Sequence, residues 1–254
     1  MLPTISIALA LVATASCQGY WQHGPTFGWR GRSGSGKAHI VKAETTLWPG
    51  EPPALPKTSS GRYESARVAL WPGLDSAKGI LIQPIIVATQ PGEYAGCSGE
   101  GRWCVFASYL QSTQRMGRTA SMSPNDSLTM KFEYKPEVDG YDQQLFLAGK
   151  MVSQITSKSS GKSQSFYTDV ECQQQVHSRS VNEHKYTNTV ITLSEADPSW
   201  GKKPSNHFMA CADSITTPDN GLTWNIPTIT VSKSQAPSHY TAGSHPPGPI
   251  ICPS

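Results

Sequence analysis

Residues Ser127 to Tyr134 read SLTMKFEY, in which Leu128, Met130, Phe132 and Tyr134 alternate with Ser127, Thr129, Lys131 and Glu133. A strict period of two predicts a strand with one face on a core and the other in water. Similar short β-rich runs, separated by turn residues, cover Ala38 to Leu47, Ser65 to Trp71, Gly79 to Thr89 and Trp103 to Leu110. Further on, Gln143 to Ile155 carries Gly149-Lys150 at its middle and predicts a hairpin, while Gln164 to Cys172, Tyr186 to Leu193 and Leu222 to Val231 predict later strands. In the last of these the apolar phase shifts at Pro227, which predicts a bulge or an edge position. About ten short strands with no stretch of helical period predict an all-β fold, an antiparallel sandwich or barrel.

Composition narrows this further. Only 15% of the 254 residues are charged, against roughly 25% for an average soluble domain, and 22 Gly and 20 Pro supply turns. Long helices and coiled coils are disfavoured. The net charge of +3 is spread along the chain with no basic block to track phosphates, so nucleic acid is not an expected partner.

Met1 to Ala15 (MLPTISIALALVATA) is an uncharged apolar run ending in small residues, as a secretory signal does, and it is too short to span a bilayer. The expected organisation is a signal peptide over 1–17, an irregular Gly/Ser-rich lead-in over 18–37, one β-sandwich domain over 38–232, and a flexible tail over 233–254. A secreted or luminal protein without a membrane partner follows. On an oxidising route the cysteines are disulfide candidates. Cys97 and Cys104 flank a short Gly-rich loop and are expected to pair; Cys172 and Cys211 are the next expected pair. Cys17 and Cys252 stay open, because the cleavage site decides whether Cys17 survives. Asn125 heads the sequon Asn125-Asp126-Ser127 in a turn-like stretch, a candidate glycosylation site.

Gly31 to Lys37 (GRSGSGK) has the spacing of a phosphate-cradling loop, but no strand precedes it and Ala38 stands where a magnesium-holding hydroxyl is needed. It reads as a flexible Gly-Ser segment. The seven histidines lack metal-ligand spacing, so neither a metal nor another cofactor is expected. No G-x-S-x-G nucleophile pentapeptide occurs in the body of the domain.

Two segments carry chemistry. Gln83 is the lone amide in an apolar run with Ile80, Leu81, Ile82, Ile85 and Ile86. Burying an unpartnered amide costs about 1–3 kcal/mol, so Gln83 either finds partners in a core or faces a cleft. In Ser165 to Cys172 (SFYTDVEC), a strand would project Asp169 and Glu171 from one face, a pair suited to acid–base work or, equally, to a solvated polar face.

These segments resemble the fungal glutamic peptidases. Leu70-Trp71-Pro72-Gly73-Leu74-Asp75 is similar to that family's Trp-x-Gly-Ile-Asp turn, Ile80-Leu81-Ile82-Gln83 resembles the strand bearing its catalytic Gln, and Ser123-Pro124-Asn125-Asp126-Ser127-Leu128 parallels its Gly-Asp-x-Ile lead into the next strand. The resemblance covers roughly Ala38 to Val231. It implies a secreted two-sheet sandwich of the concanavalin A-like, jelly-roll type, with Gln83 as the amide that steadies an oxyanion. The family's Ala-Glu-aromatic motif falls near Gln164-Ser165-Phe166, which has no Glu, so Asp169 or Glu171 would have to be the base. Trp71 and Asp75 join the substrate-binding candidates through the same turn.

A more general resemblance, in size, signal, disulfides and a Trp-rich β-fold, is to secreted fungal hetero-Diels-Alder cyclases. It implies a small apolar organic substrate in a pocket to which Trp48, Trp71, Trp103 and Trp224 could contribute, although aromatics on strands are more often core. The third reading is a non-catalytic glycan-binding module with sugars stacked on exposed aromatics. A peptide, a small apolar molecule and a glycan are the expected alternative partners; the oligomeric state is not legible.

Overall fold

The computed structural model describes residues 21–29, 38–55, 57, 67–97, 100–173, 180–202, 206–235 and 251–252. The expected signal peptide and the Gly31–Lys37 loop lie outside them. Within them the chain is an all-β sandwich of two antiparallel sheets. The larger sheet runs in the order Ala120–Met122, Trp103–Phe106, Ile85–Ala88, Arg67–Asp75, Phe166–Gln173, Thr26–Trp29, Asn206–Phe208. Trp21–His23 also pairs with Phe166–Gln173, and Leu81–Ile82 links Arg67–Asp75 to Ser108–Leu110 and thence Gln114–Met116. The smaller sheet runs Lys150–Ser157, Gly140–Leu147, Leu128–Lys135, Ile40–Trp48, His184–Leu193, Thr223–Val231, Ala210–Ala212.

The strand with the cleanest alternation, Leu128–Lys135, turns Leu128, Met130 and Phe132 into the space between the sheets and leaves Lys131 exposed. Leu70, Ile86, Val105 and Val170 of the larger sheet meet them there. At Pro227 the phase shift expected from the sequence is present: Ile226 and Ile229 are both buried, and across the strand pair Asn188 takes a left-handed φ of 53°.

The run VALWPGL is apolar without alternation, the pattern of a strand covered on both faces. Arg67–Asp75 accordingly buries every residue from Val68 to Leu74. Val68, Leu70 and Leu74 belong to the main core, whereas Ala69 and Trp71 form a second cluster on the sheet's outer side with Val87, Cys104, Phe106 and Tyr167. This second, covered face positions the site.

Three expectations are corrected. The lead-in expected to be irregular contributes the strands Trp21–His23 and Thr26–Trp29. Gly28 makes this close approach possible, since a Cβ there would lie 2.3 Å from the Phe166 carbonyl oxygen. Cys211 pairs with Cys252, not with Cys172, which is a buried free thiol; Cys172 points into the core of the larger sheet, while Cys211 lies on the last strand of the smaller one. Within the stretch expected to be a flexible tail, Ser234–Gln235 pairs with Ser180–Val181, and Ile251 bridges to Ala212 beside the disulfide. The Cys97–Cys104 disulfide is present as expected. Two disulfides suit an extracellular or luminal compartment, and no helix among the described residues is long and apolar enough to cross a membrane.

Candidate functional site

Gln83 and Pro84 break the strand that pairs with Arg67–Asp75 into Leu81–Ile82 and Ile85–Ala88, as a proline without an N–H does. The backbone is held all the same: Gln83 N donates to Ser108 O at 2.9 Å and Ser108 Oγ donates to Gln83 O at 2.6 Å. The residue is 4% exposed, and Oε1 has no hydrogen-bond partner among the described residues. Of the two roles open to it in the sequence, this lack of a partner favours the one in which the amide meets a ligand or water. Such an orphaned oxygen, costing about 1–3 kcal/mol, marks a place where function or an internal ligand outweighs stability.

Strand register locates its neighbours. Leu74 pairs with Ile82 and Leu70 with Ile86, so Gln83 falls beside Gly73 and Ile85 beside Trp71. On the other flank of the same strand, Gly73 pairs with Tyr167, Trp71 with Asp169 and Ala69 with Glu171. Tyr167 thus stands across Gly73 from Gln83, and its hydroxyl donates to Asp75 Oδ1 at 2.9 Å. The Trp71 indole lies over Gly73, where an added Cβ would come within 2.9 Å of it, and it meets the Tyr167 ring edge-on at 5.5 Å.

Asp169 and Glu171 lie on the far side of that indole. Both share the covered face, about 7 Å apart as alternate residues of one strand are, and both are buried, at 3% and 5% exposure. Glu171 is displaced from Gln83 by two strand spacings and four residues, about 10 Å across and 13 Å along. Buried carboxylates cost several kcal/mol unless partnered. Trp71 Nε1 donates to Glu171 Oε2 at 3.2 Å, and Val170 N donates to Asp169 Oδ1 at 2.8 Å. His23 pairs in register with Glu171 and places Nδ1 2.8 Å from Asp169 Oδ2. Its side chain is 41% exposed, so a buried carboxylate orients an imidazole that reaches solvent.

His23 is the residue that sequence reading missed: it looked like a loop histidine, and only its pairing with a strand 146 positions away gives it a partner. Tyr167 was missed as well, within a motif read for its carboxylates. Of the four candidate tryptophans, Trp71 alone is in the site. Trp103 is buried in the main core and donates to Gly50 O at 2.7 Å, and Trp224 is buried there too. Trp48 is 49% exposed on the outer face of the smaller sheet, donating to Thr187 Oγ1 at 3.1 Å. The expected Trp-lined pocket is therefore not assembled. Asn125 sits exposed in a turn closed by Asp126 N and Ser123 O at 3.1 Å.

No protein-family model matches the chain, and no curated protein matches it. Among solved structures it is similar to a scytalido-glutamic peptidase carrying a transition-state analogue inhibitor, at 12% identity and a TM-score of 0.45, over 83% of this chain and 98% of that one. It is also similar to a native glycosidic hydrolase (10% identity, TM-score 0.31, 81% and 75% covered) and to the Bacillus licheniformis β-glucanase (10%, 0.30, 85% and 93%). The likeness is one of fold, at low sequence identity.

Proposed function

We propose that this chain is an enzyme of acid–base chemistry, with His23, Asp169 and Glu171 as its proton-handling groups, acting on a small organic molecule. The observation that carries the reading is the His23–Asp169 contact: the buried carboxylate orients the ring through Nδ1, and the 41% exposed imidazole can exchange protons with solvent. Glu171, on the same face, is the second proton donor or acceptor, held by the Trp71 indole. Across Trp71, the Gln83 amide and the Tyr167–Asp75 pair form a polar end that binds and orients a carbonyl or hydroxyl of the substrate.

A small substrate suits the geometry better than a peptide. Gln83 has a phenol across Gly73, and the Asp75 carboxylate there already accepts that phenol's hydrogen bond at 2.9 Å, so it is engaged where a water attacking a carbonyl held by the amide would need it. Trp71, Tyr167 and Gln83 are all buried, which suits a compact substrate better than an extended chain laid across them. Loss of water from a hydroxylated precursor followed by ring closure is a reaction this acid–base pair could direct, in line with the cyclase resemblance.

The test pits two substrates against each other. The purified protein is incubated with a metabolite extract from a strain lacking it, and separately with denatured casein between pH 3 and 7. Conversion of a small metabolite with casein left intact is expected. Casein hydrolysis abolished by Gln83→Ala would overturn the reading in favour of peptide hydrolysis.

A further inference from the structure

A cavity of about 700 Å³ lies at the edge of the larger sheet, between the loop Pro91–Cys97 and residues 116–121. It lies in the volume range of small-molecule sites. Glu93, Tyr94 and Gly96 line one wall; Met116, Arg118 and Ser121 line the other. The loop is fastened at both sides, by the Cys97–Cys104 disulfide and by Thr119 Oγ1 donating to Ala95 O. This wall is fixed to the sheet at two points.

Register connects the cavity to the proton-handling residues. Glu171 pairs with Ala69, Ala69 with Val87, Val87 with Cys104, and Cys104 with Ser121. One transverse row of four strand spacings, about 19 Å, therefore runs from Glu171 through the buried Ala69, Val87 and Cys104 to the cavity wall. Tyr94 packs over this row, against Phe106 at 5.1 Å. Burial pushes its phenol up, Arg67 pulls it down, and Glu93 and Glu171 push it up again, which puts Tyr94 within electrostatic reach of Glu171.

The charges favour one ligand class. Glu93 is ion-paired with Arg67, whose guanidinium also sits 5.9 Å from the Tyr94 ring centroid. Arg118 has no ion-pair partner among the described residues, which leaves a cation beside the apolar surfaces of Tyr94 and Met116. We propose that this cavity is the specificity subsite for the substrate, taking a flat apolar ring that bears an anionic group, with the ring against Tyr94 and Met116 and the anion at Arg118. The inference rests on the acid–base reading above, because the row leads to Glu171.

The experiment uses 2-naphthoate as the probe and 2-naphthamide as its neutral counterpart, titrated calorimetrically into the full-length protein. Naphthoate binds the wild type; Arg118→Ala weakens it by about tenfold or more, the scale of one charge-assisted contact, and Arg118→Lys restores part of the loss. Naphthamide binding is unchanged by either variant. Absence of naphthoate binding, or equal binding by wild type and Arg118→Ala, overturns the subsite. If Arg118→Ala weakens naphthoate while Asp169→Asn leaves metabolite conversion intact, the catalytic reading fails and the subsite stands; the reverse pair of results separates them the other way.

Discussion

Tyr167 donates its hydroxyl proton to Asp75 Oδ1 at 2.9 Å, and by strand register it does so directly across Gly73 from Gln83. This pairing sets a phenol, with the Asp75 carboxylate bound to it, across Gly73 from the Gln83 amide. It also ties the Trp71–Asp75 turn to the strand that carries both buried carboxylates.

Tyr167→Phe removes that bond and leaves the ring. A hydrogen bond to a charged group is worth about 1.5–3 kcal/mol, so the melting temperature falls by several degrees. Differential scanning calorimetry reads the shift, and an unchanged melting temperature would show that the bond carries no net stability.

Trp71→Phe takes from Glu171 the donor at 3.2 Å while keeping an aromatic ring over Gly73. Turnover of the small substrate should drop by at least tenfold, with a smaller change in KM, because the group lost orients Glu171. A rise in KM alone would mean that Trp71 serves only as a binding surface.

His184 is buried, and burial holds its imidazole down to about 4, against a weaker opposing pull from the Asn182 carbonyl 3.1 Å from Nδ1. The unfolded chain protonates near 6.5, so between pH 6.5 and 4 it binds more protons than the folded state does. Stability is therefore full above 6.5 and is lost as the pH falls through this window, by up to roughly 3 kcal/mol at about 1.36 kcal/mol per pH unit. His184→Asn should flatten the acid side of a plot of melting temperature against pH; a slope equal to that of the wild type would refute the assignment.

Cys172 is the buried free thiol, and burial first, then Glu171 and Asp169, push it up to about 12. Since the thiolate is the reactive form, iodoacetamide at pH 8 should leave Cys172 unlabelled in the folded protein and label it in guanidinium. Rapid labelling of the native state, mapped by mass spectrometry, would contradict this burial.

The fold was legible where the physics is local. Leu128 to Tyr134 alternates because one face meets the core, and Val68 to Leu74 is apolar throughout because both faces are covered. The turn Trp71-Pro72-Gly73-Leu74-Asp75 pointed to the right strand, and Gln83 stood out as an amide that a core could not easily satisfy. What depends on distant pairing was hidden. Nothing near His23 indicates Asp169 as its partner, and the spacing of Cys172 and Cys211 does not reveal that they belong to different sheets. Trp103 and Trp71 look alike in sequence, yet they fall on opposite faces of one sheet, because only register decides which side a side chain takes.

The most direct measurement is the turnover of Asp169→Asn on the small metabolite that the wild type converts, with near-UV circular dichroism to monitor the fold. Asparagine keeps the shape and loses the carboxylate that orients His23. The account predicts a fall in kcat of about a hundredfold or more, the scale of general acid–base catalysis, with an unchanged spectrum. Turnover equal to that of the wild type, in a protein with the native spectrum, would contradict it.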